Sequence, residues 1–108
     1  MFNLILLDMK VNVQSVNFNA DQKLIDFTQK KLDKLEHFYD KVIFADVYLK
    51  VQNTSAKENK ITEILLSIPG GDLMVKKTCK KFEECVDECV NSLQRQLIKR
   101  KEKLSTHA

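Results

Sequence analysis

The sequence predicts an α+β fold of order β-α-β-β-β-α: a four-stranded sheet with two helices packed on one face. Three observations carry that prediction. Apolar residues alternate in twos over residues 10–16, 43–51 and 62–68, as half-buried strands require, and a turn then leads into a short fourth strand. Two longer segments, residues 21–39 and about 79–103, repeat their apolar residues at helical spacing, each with a single stripe. Both stripes can be buried on one face of one sheet, which leaves the opposite face to solvent or to a partner.

Taken in order, the first strand is KVNVQSV, with Val11 and Val13 on one side. Asn19 is placed to cap the helix that follows, in which Leu24, Thr28, Leu32, Leu35 and Tyr39 share a face with Phe27 and Phe38 at its edge. No residue in that segment is a helix breaker, so one continuous helix is expected. In the second strand Ile43, Ala45, Val47, Leu49 and Val51 form the core side, alternating with Phe44, Asp46, Tyr48, Lys50 and Gln52. The polar segment NTSAKENK connects it to a third strand carrying Thr62, Ile64, Leu66 and Ile68. Pro69-Gly70-Gly71-Asp72 has turn chemistry and leads into the fourth strand, residues 73–77. The last helix has the longest stripe: Phe82, Cys85, Val86, Cys89, Val90, Leu93, Leu97 and Leu104.

With 108 residues, 44% hydrophobic and 31% charged, the chain has the composition of one ordinary globular domain. The divisions expected are an extension over residues 1–8, a single domain over 9–104 and a tail over 105–108. The apolar run Phe2, Leu4, Ile5, Leu6, Leu7 follows no basic residue and ends at Asp8, too short for a signal peptide or a membrane span. Three cysteines, Cys79, Cys85 and Cys89, are an odd number placed within one predicted helix, which speaks against a disulfide framework and for a cytoplasmic setting.

A net charge of +3 does not by itself mark a polyanion binder, so the arrangement of the 18 basic residues decides. At about 100° per residue, Lys23, Lys30, Lys34 and Lys41 fall within roughly 40° of one another, while Asp26, Asp33, Glu36 and Asp40 collect beside them. Solvent faces of amphipathic helices carry charge in any case, and Asp26 to Lys30 is an ordinary i,i+4 pair. In the last helix Glu83, Glu84, Asp87 and Glu88 lie at the start, and Arg95, Lys99, Arg100, Lys101 and Lys103 at the end, opposed only by Glu102. This polarity offsets the helix dipole, but the dipole effect fades within a turn, and five bases exceed it. Arg95, Lys99 and Lys103, at i, i+4 and i+8, form a strip able to follow a phosphate backbone. Lys76, Lys77, Lys80 and Lys81 gather where the fourth strand meets this helix, either protecting a sheet edge or extending the basic surface.

No active site is read. The cysteines lie on the apolar stripe as small buried hydrophobes, and two thiols at i,i+4 without a nearby His are a poor zinc site, so neither metal nor cofactor is expected. Gly70-Gly71 lacks the Gly-Lys-Ser/Thr continuation of a phosphate loop. His37 has no evident nucleophile partner, His107 is in the tail, and every acidic cluster falls on a solvent strip.

Lys31-Leu32-Asp33-Lys34-Leu35-Glu36, the turn Ile68-Pro69-Gly70-Gly71-Asp72-Leu73, and Asp87 followed by Leu93-Gln94-Arg95-Gln96-Leu97 and Lys99 together resemble the ribosome hibernation promoting factor family, also catalogued as sigma-factor modulators. The likeness spans about residues 9–104. It implies a fold similar to double-stranded-RNA-binding domains and a non-enzymatic role. Such a protein docks on the small ribosomal subunit where mRNA and tRNA anticodons sit, blocking translation while preserving idle ribosomes. The resemblance carries the family's basic helix positions onto Lys31, Lys34, Arg95 and Lys99. Lys23, Lys30, Lys80, Lys81 and Lys103 flank them in the helical projection. The chain departs from the pattern at Ser92, where a basic residue is common, and at Cys79-Lys80-Lys81-Phe82-Glu83, where the family has an acidic-aromatic helix start. It looks like a short form, with rRNA as partner, room for a second hibernation factor, and neither a membrane nor a small-molecule substrate. An alternative from a different class is a module that docks a partner or itself through Phe44, Tyr48, Ile61 and Leu65 on the open sheet face.

Overall fold

The computed structural model of the chain describes residues 10–39 and 41–106, and within these the side chains of all but Glu36 and residues 103–106. The expected extension over residues 1–8, Asp40, the side chains of Lys103 and Leu104, and His107 lie outside the described residues. The elements are β1 (Lys10–Val16), α1 (Gln22–Asp33), α2 (Leu35–Phe38), β2 (Phe44–Val51), β3 (Lys60–Ile68), β4 (Gly71–Cys79) and α3 (Phe82–Thr106). One sheet runs in the order β1-β2-β3-β4. β1 pairs parallel to β2, and the other neighbours pair antiparallel. The parallel pair follows from the helical crossover between β1 and β2, because a tight turn can join only antiparallel strands.

Alternation decides which face is buried. Ala45, Val47 and Leu49 of β2, Thr62, Ile64, Leu66 and Ile68 of β3, and Val75 and Cys79 of β4 all point to the helices and are buried. Leu24, Thr28 and Leu32 of α1 and Cys85, Val86, Cys89, Val90, Leu93 and Leu97 of α3 meet them from above. Each fully buried Leu or Ile contributes about 1.5–3 kcal/mol relative to an exposed one, so this shared layer holds both helices on one face. Phe18 and Phe82 stack with ring centroids 4.8 Å apart and planes 10° from parallel, closing the core where both helices begin. Pro69 and Gly70 form the β3–β4 turn, with Gly70 at φ +87°, a conformation that favours glycine. A Cβ at Gly70 would lie 2.9 Å from the tip of the Arg100 guanidinium, a flexible group that can move aside, so the backbone angle is what favours glycine here.

The fold is as expected, and four local expectations are corrected. The cap of α1 is Asp21, whose carboxylate accepts from Leu24 N–H at 2.9 Å, and not Asn19. The first helix is not continuous. It is interrupted at Lys34, which keeps helical angles (φ −65°, ψ −25°) while His37 N–H turns to the Lys34 carbonyl three residues back. The hydrogen-bond register changes there, yet Leu32 and Leu35 stay fully buried across the break. Lys41 therefore lies beyond the helical segments and does not share the helix strip of Lys23, Lys30 and Lys34. Ile43 precedes β2 and is 54% exposed, although its amide bonds the Ser67 carbonyl at 2.8 Å. Finally, β4 runs on through Cys79 and α3 begins only at Phe82, so Cys79 belongs to the strand.

Candidate nucleic-acid interface

β1 and β4 run in the same direction, and each is followed by a helix that doubles back over the sheet, so α1 and α3 lie side by side and parallel. Two polar ties fix their alignment. Lys31 Nζ meets Asp87 Oδ1 at 2.8 Å, and Lys101 Nζ donates to the Phe38 carbonyl at 3.3 Å, at the end of α2. Lys34 falls between these ties in sequence, alongside the middle of α3. The solvent side of the helical layer thus carries two rows. Lys23 and Lys30 of α1 and Lys34 at the α1–α2 junction are exposed, and Arg95 and Lys99 are exposed along α3. None of these five forms an ion pair among the described residues. In projection Arg95 is about 80° and Lys99 about 120° around α3 from Asp87, so their row points outward and away from α1. The rows share the helical layer and are separated by the groove between the helices.

The remaining predicted cations are differently placed. Lys31 is half-buried: besides its ion pair, its ammonium lies 5.4 Å from the centre of the Phe27 ring, so it is a tie between helices as well as a charge. Lys80 and Lys81 are exposed in the two-residue bend between β4 and α3, at the end of the molecule where both helices start. Lys103 occupies a position of α3. Of the five bases counted at the end of α3, two serve the fold. Arg100 donates to the Pro69 carbonyl at 3.0 Å and Lys101 to that of Phe38. Sequence spacing could not reveal these partners, which lie 31 and 63 residues away. Along the layer the charge is graded: Glu83, Glu84 and Glu88 are exposed at the start of α3, and the bases follow toward its end.

The three thiols are buried between α3 and the β3–β4 edge. Cys85 donates to the Lys77 carbonyl at 3.1 Å. Burial first, and then the neighbouring Cys85 and Glu88, push the Cys79 thiol up to about 12; a hydrogen bond to Cys85 together with burial also raises Cys89. Cys79, Glu84 and Glu88 bring three ligand-capable atoms within 4.8 Å of one another. Both carboxylates are exposed on the first turns of α3, where acids offset the helix dipole. Helical spacing from Cys79 onward hides this grouping, because Cys79 lies on β4.

The opposite sheet face is uncovered. Phe44, Tyr48, Ile61 and Leu65 are half-buried on it, beside an exposed Met74. Glu63 crosses the patch, holding Lys50 at 3.1 Å and Lys76 at 3.6 Å, so Lys76 is drawn to this face and away from the helical rows.

Fold and site together describe a small α+β protein whose helical layer carries exposed cations. The chain belongs to the Sigma 54 modulation protein / S30EA ribosomal protein family, whose model matches residues 11–105. This is a family of ribosome hibernation and interface proteins, which are not enzymes. The chain is 32% identical over 95 residues to a ribosome hibernation promoting factor of Pseudomonas putida, covering 88% of this chain and 89% of that one. It is 28% identical to a protein of the same name from Escherichia coli, covering 92% of this chain and all of its relative. Among solved structures, a ribosomal subunit interface protein from Coxiella burnetii superimposes with a TM-score of 0.77 at 20% identity, over 87% of this chain and 99% of its own. The N-terminal domain of Thermus thermophilus Protein Y does so at 0.69 and 22%, over 83% and 94%. No helix among the described residues is long and apolar enough to cross a membrane.

Proposed function

We propose that this chain is a cytoplasmic ribosome hibernation factor whose helical layer binds rRNA of the small ribosomal subunit. There it occupies the region of the mRNA and the tRNA anticodons, halts translation and preserves the idle ribosome. The observation that carries this reading is the exposure of Lys23, Lys30, Lys34, Arg95 and Lys99, without ion pairs among the described residues, on one layer of a chain matched nearly end to end by hibernation promoting factors. Rows of unpaired cations on rigid helices suit a phosphate backbone, which is recognised by charge and spacing. Lys31, Lys80, Lys81 and Lys103 flank those rows as further contacts.

Co-sedimentation with purified small subunits tests the proposal. Arg95→Glu/Lys99→Glu should sharply reduce the bound fraction at moderate salt while the unfolding midpoint stays close to that of the parent, because both side chains are exposed. Undiminished binding by this variant would overturn the assignment.

A further inference from the structure

The end of the sheet where the helices begin carries a polar, uncharged opening. The pairing registers bring the ends of four strands side by side there. Val16 is opposite Lys50, Val51 is opposite Lys60, and Lys60 is opposite Cys79. One step beyond, Gln52, Asn59 and Lys80 therefore follow one another across adjacent strands about 4.8 Å apart, and Asn17 stands beside them, level with Val51. An opening of about 440 Å³ lies at this end, lined by Asn17, Val51, Gln52, Asn53, Thr54 and Asn59. That volume is within the range of small-ligand sites.

The chemistry of the lining is specific. Four of its six side chains are amides, one is a hydroxyl and none is charged. Gln52 N–H donates to the Asn59 carbonyl at 2.8 Å, which closes the neck of the β2–β3 loop and holds both residues in place. Among the described residues the side-chain amides of Gln52 and Asn53 have no hydrogen-bond partner, and that of Asn17, a residue held at φ 69°, has only a 3.5 Å contact to the Val51 carbonyl. Lys60 Nζ donates to Asn59 Oδ1 at 2.7 Å, which leaves the Asn59 NH2 free to donate and sets an ammonium at the rim. Lys80 and Lys81 add two exposed cations on the neighbouring strand end, while Lys57 and Glu58 in the loop offset each other.

Neutral amides with unused donors and acceptors, edged by lysines, match a ligand with a polar uncharged ring and a phosphate. We propose that this opening takes an unpaired nucleotide of an RNA strand. Its base edge bonds to the amides of Gln52, Asn53 and Asn59, and its phosphate lies against Lys60 and Lys80. An amide presents one donor beside one acceptor, the pair that the N6 and N7 edge of adenine complements, so adenine is one base that fits. This deepens the rRNA-binding reading, on which it rests, by adding a base-reading contact on the β2–β3 loop, which lies off the helical rows.

The test uses the full chain and two probes. Titration of 15N-labelled protein with adenosine 5′-monophosphate should move the side-chain NH2 signals of Gln52, Asn53 and Asn59 saturably. Inorganic phosphate at the same concentration should leave the Gln52 and Asn53 signals in place. Against purified bacterial small subunits, Gln52→Ala/Asn53→Ala should bind about tenfold more weakly, the loss of one or two hydrogen bonds to a neutral partner, with its salt dependence unchanged. Silent amide signals with the nucleotide, or full-strength subunit binding by this variant, overturn the proposal. If Arg95→Glu/Lys99→Glu loses subunit binding while the loop variant keeps it, the helical surface stands and the nucleotide site falls. The reverse pattern removes the helical surface and keeps the site.

Discussion

Asp21 carries more of α1 than its exposed position suggests. The first turn of that helix contains no acidic residue and does contain Lys23, whose charge opposes the dipole, so the Asp21 carboxylate alone meets the free amides. Asp21→Ala should lower stability by about 1 kcal/mol, read as a shift in the urea midpoint, and Asp21→Asn should recover most of it by keeping the acceptor. Thr62 presents the opposite case. Its hydroxyl is buried in the middle of the sheet without a hydrogen-bond partner among the described residues. A valine of the same shape removes an unsatisfied polar group, so Thr62→Val should leave thermal stability unchanged or raise it, by up to about 1 kcal/mol. A clear loss on calorimetry would mean that the hydroxyl is bonded after all. At this scale the sequence was least legible: Asn19 and Asp21 are both acceptable caps by type, and only the backbone path selects between them.

The helix pair is joined by Lys31 and Asp87, which are 26% and 50% exposed. An ion pair with that much solvent contact is worth no more than about 1 kcal/mol, and a double-mutant cycle on Lys31→Ala and Asp87→Ala should give a coupling below that. Coupling well above it would make the tie a structural lock and leave Lys31 unavailable to any ligand. The strands and the stripe of α3 were readable because burial on one face imposes a period of two or 3.6, and Val47, Ile64, Cys89 and Leu93 each sit where the period puts them. The end of β4 was not readable, because Lys77 occupies an inward-facing register position on an edge strand and breaks the apolar alternation just before Cys79. The break at Lys34 left no trace either, since neither glycine nor proline marks it.

At the scale of the whole molecule, what sequence spacing could not supply was the relation between rows on separate helices, because that depends on how α1 and α3 cross the sheet. With the two helices parallel, the exposed cations of both lie on one layer, and their number sets a measurable quantity. Five exposed cations without ion pairs among the described residues, Lys23, Lys30, Lys34, Arg95 and Lys99, stand in the rows, with Lys80 and Lys81 beyond them. If about six of these seven displace counterions from rRNA, log affinity for the small subunit should fall against log salt with a slope of about −4 to −5. Arg95→Glu/Lys99→Glu removes two contacts, so its slope should be shallower by about 1.5 to 2. An association through the uncovered sheet face would behave differently, since Phe44, Tyr48, Ile61, Leu65 and Met74 bury apolar surface whose contribution salt does not screen. Affinity measured from low to high potassium chloride therefore separates the two surfaces of this sheet. A flat line would transfer the binding role from the helices to the opposite face.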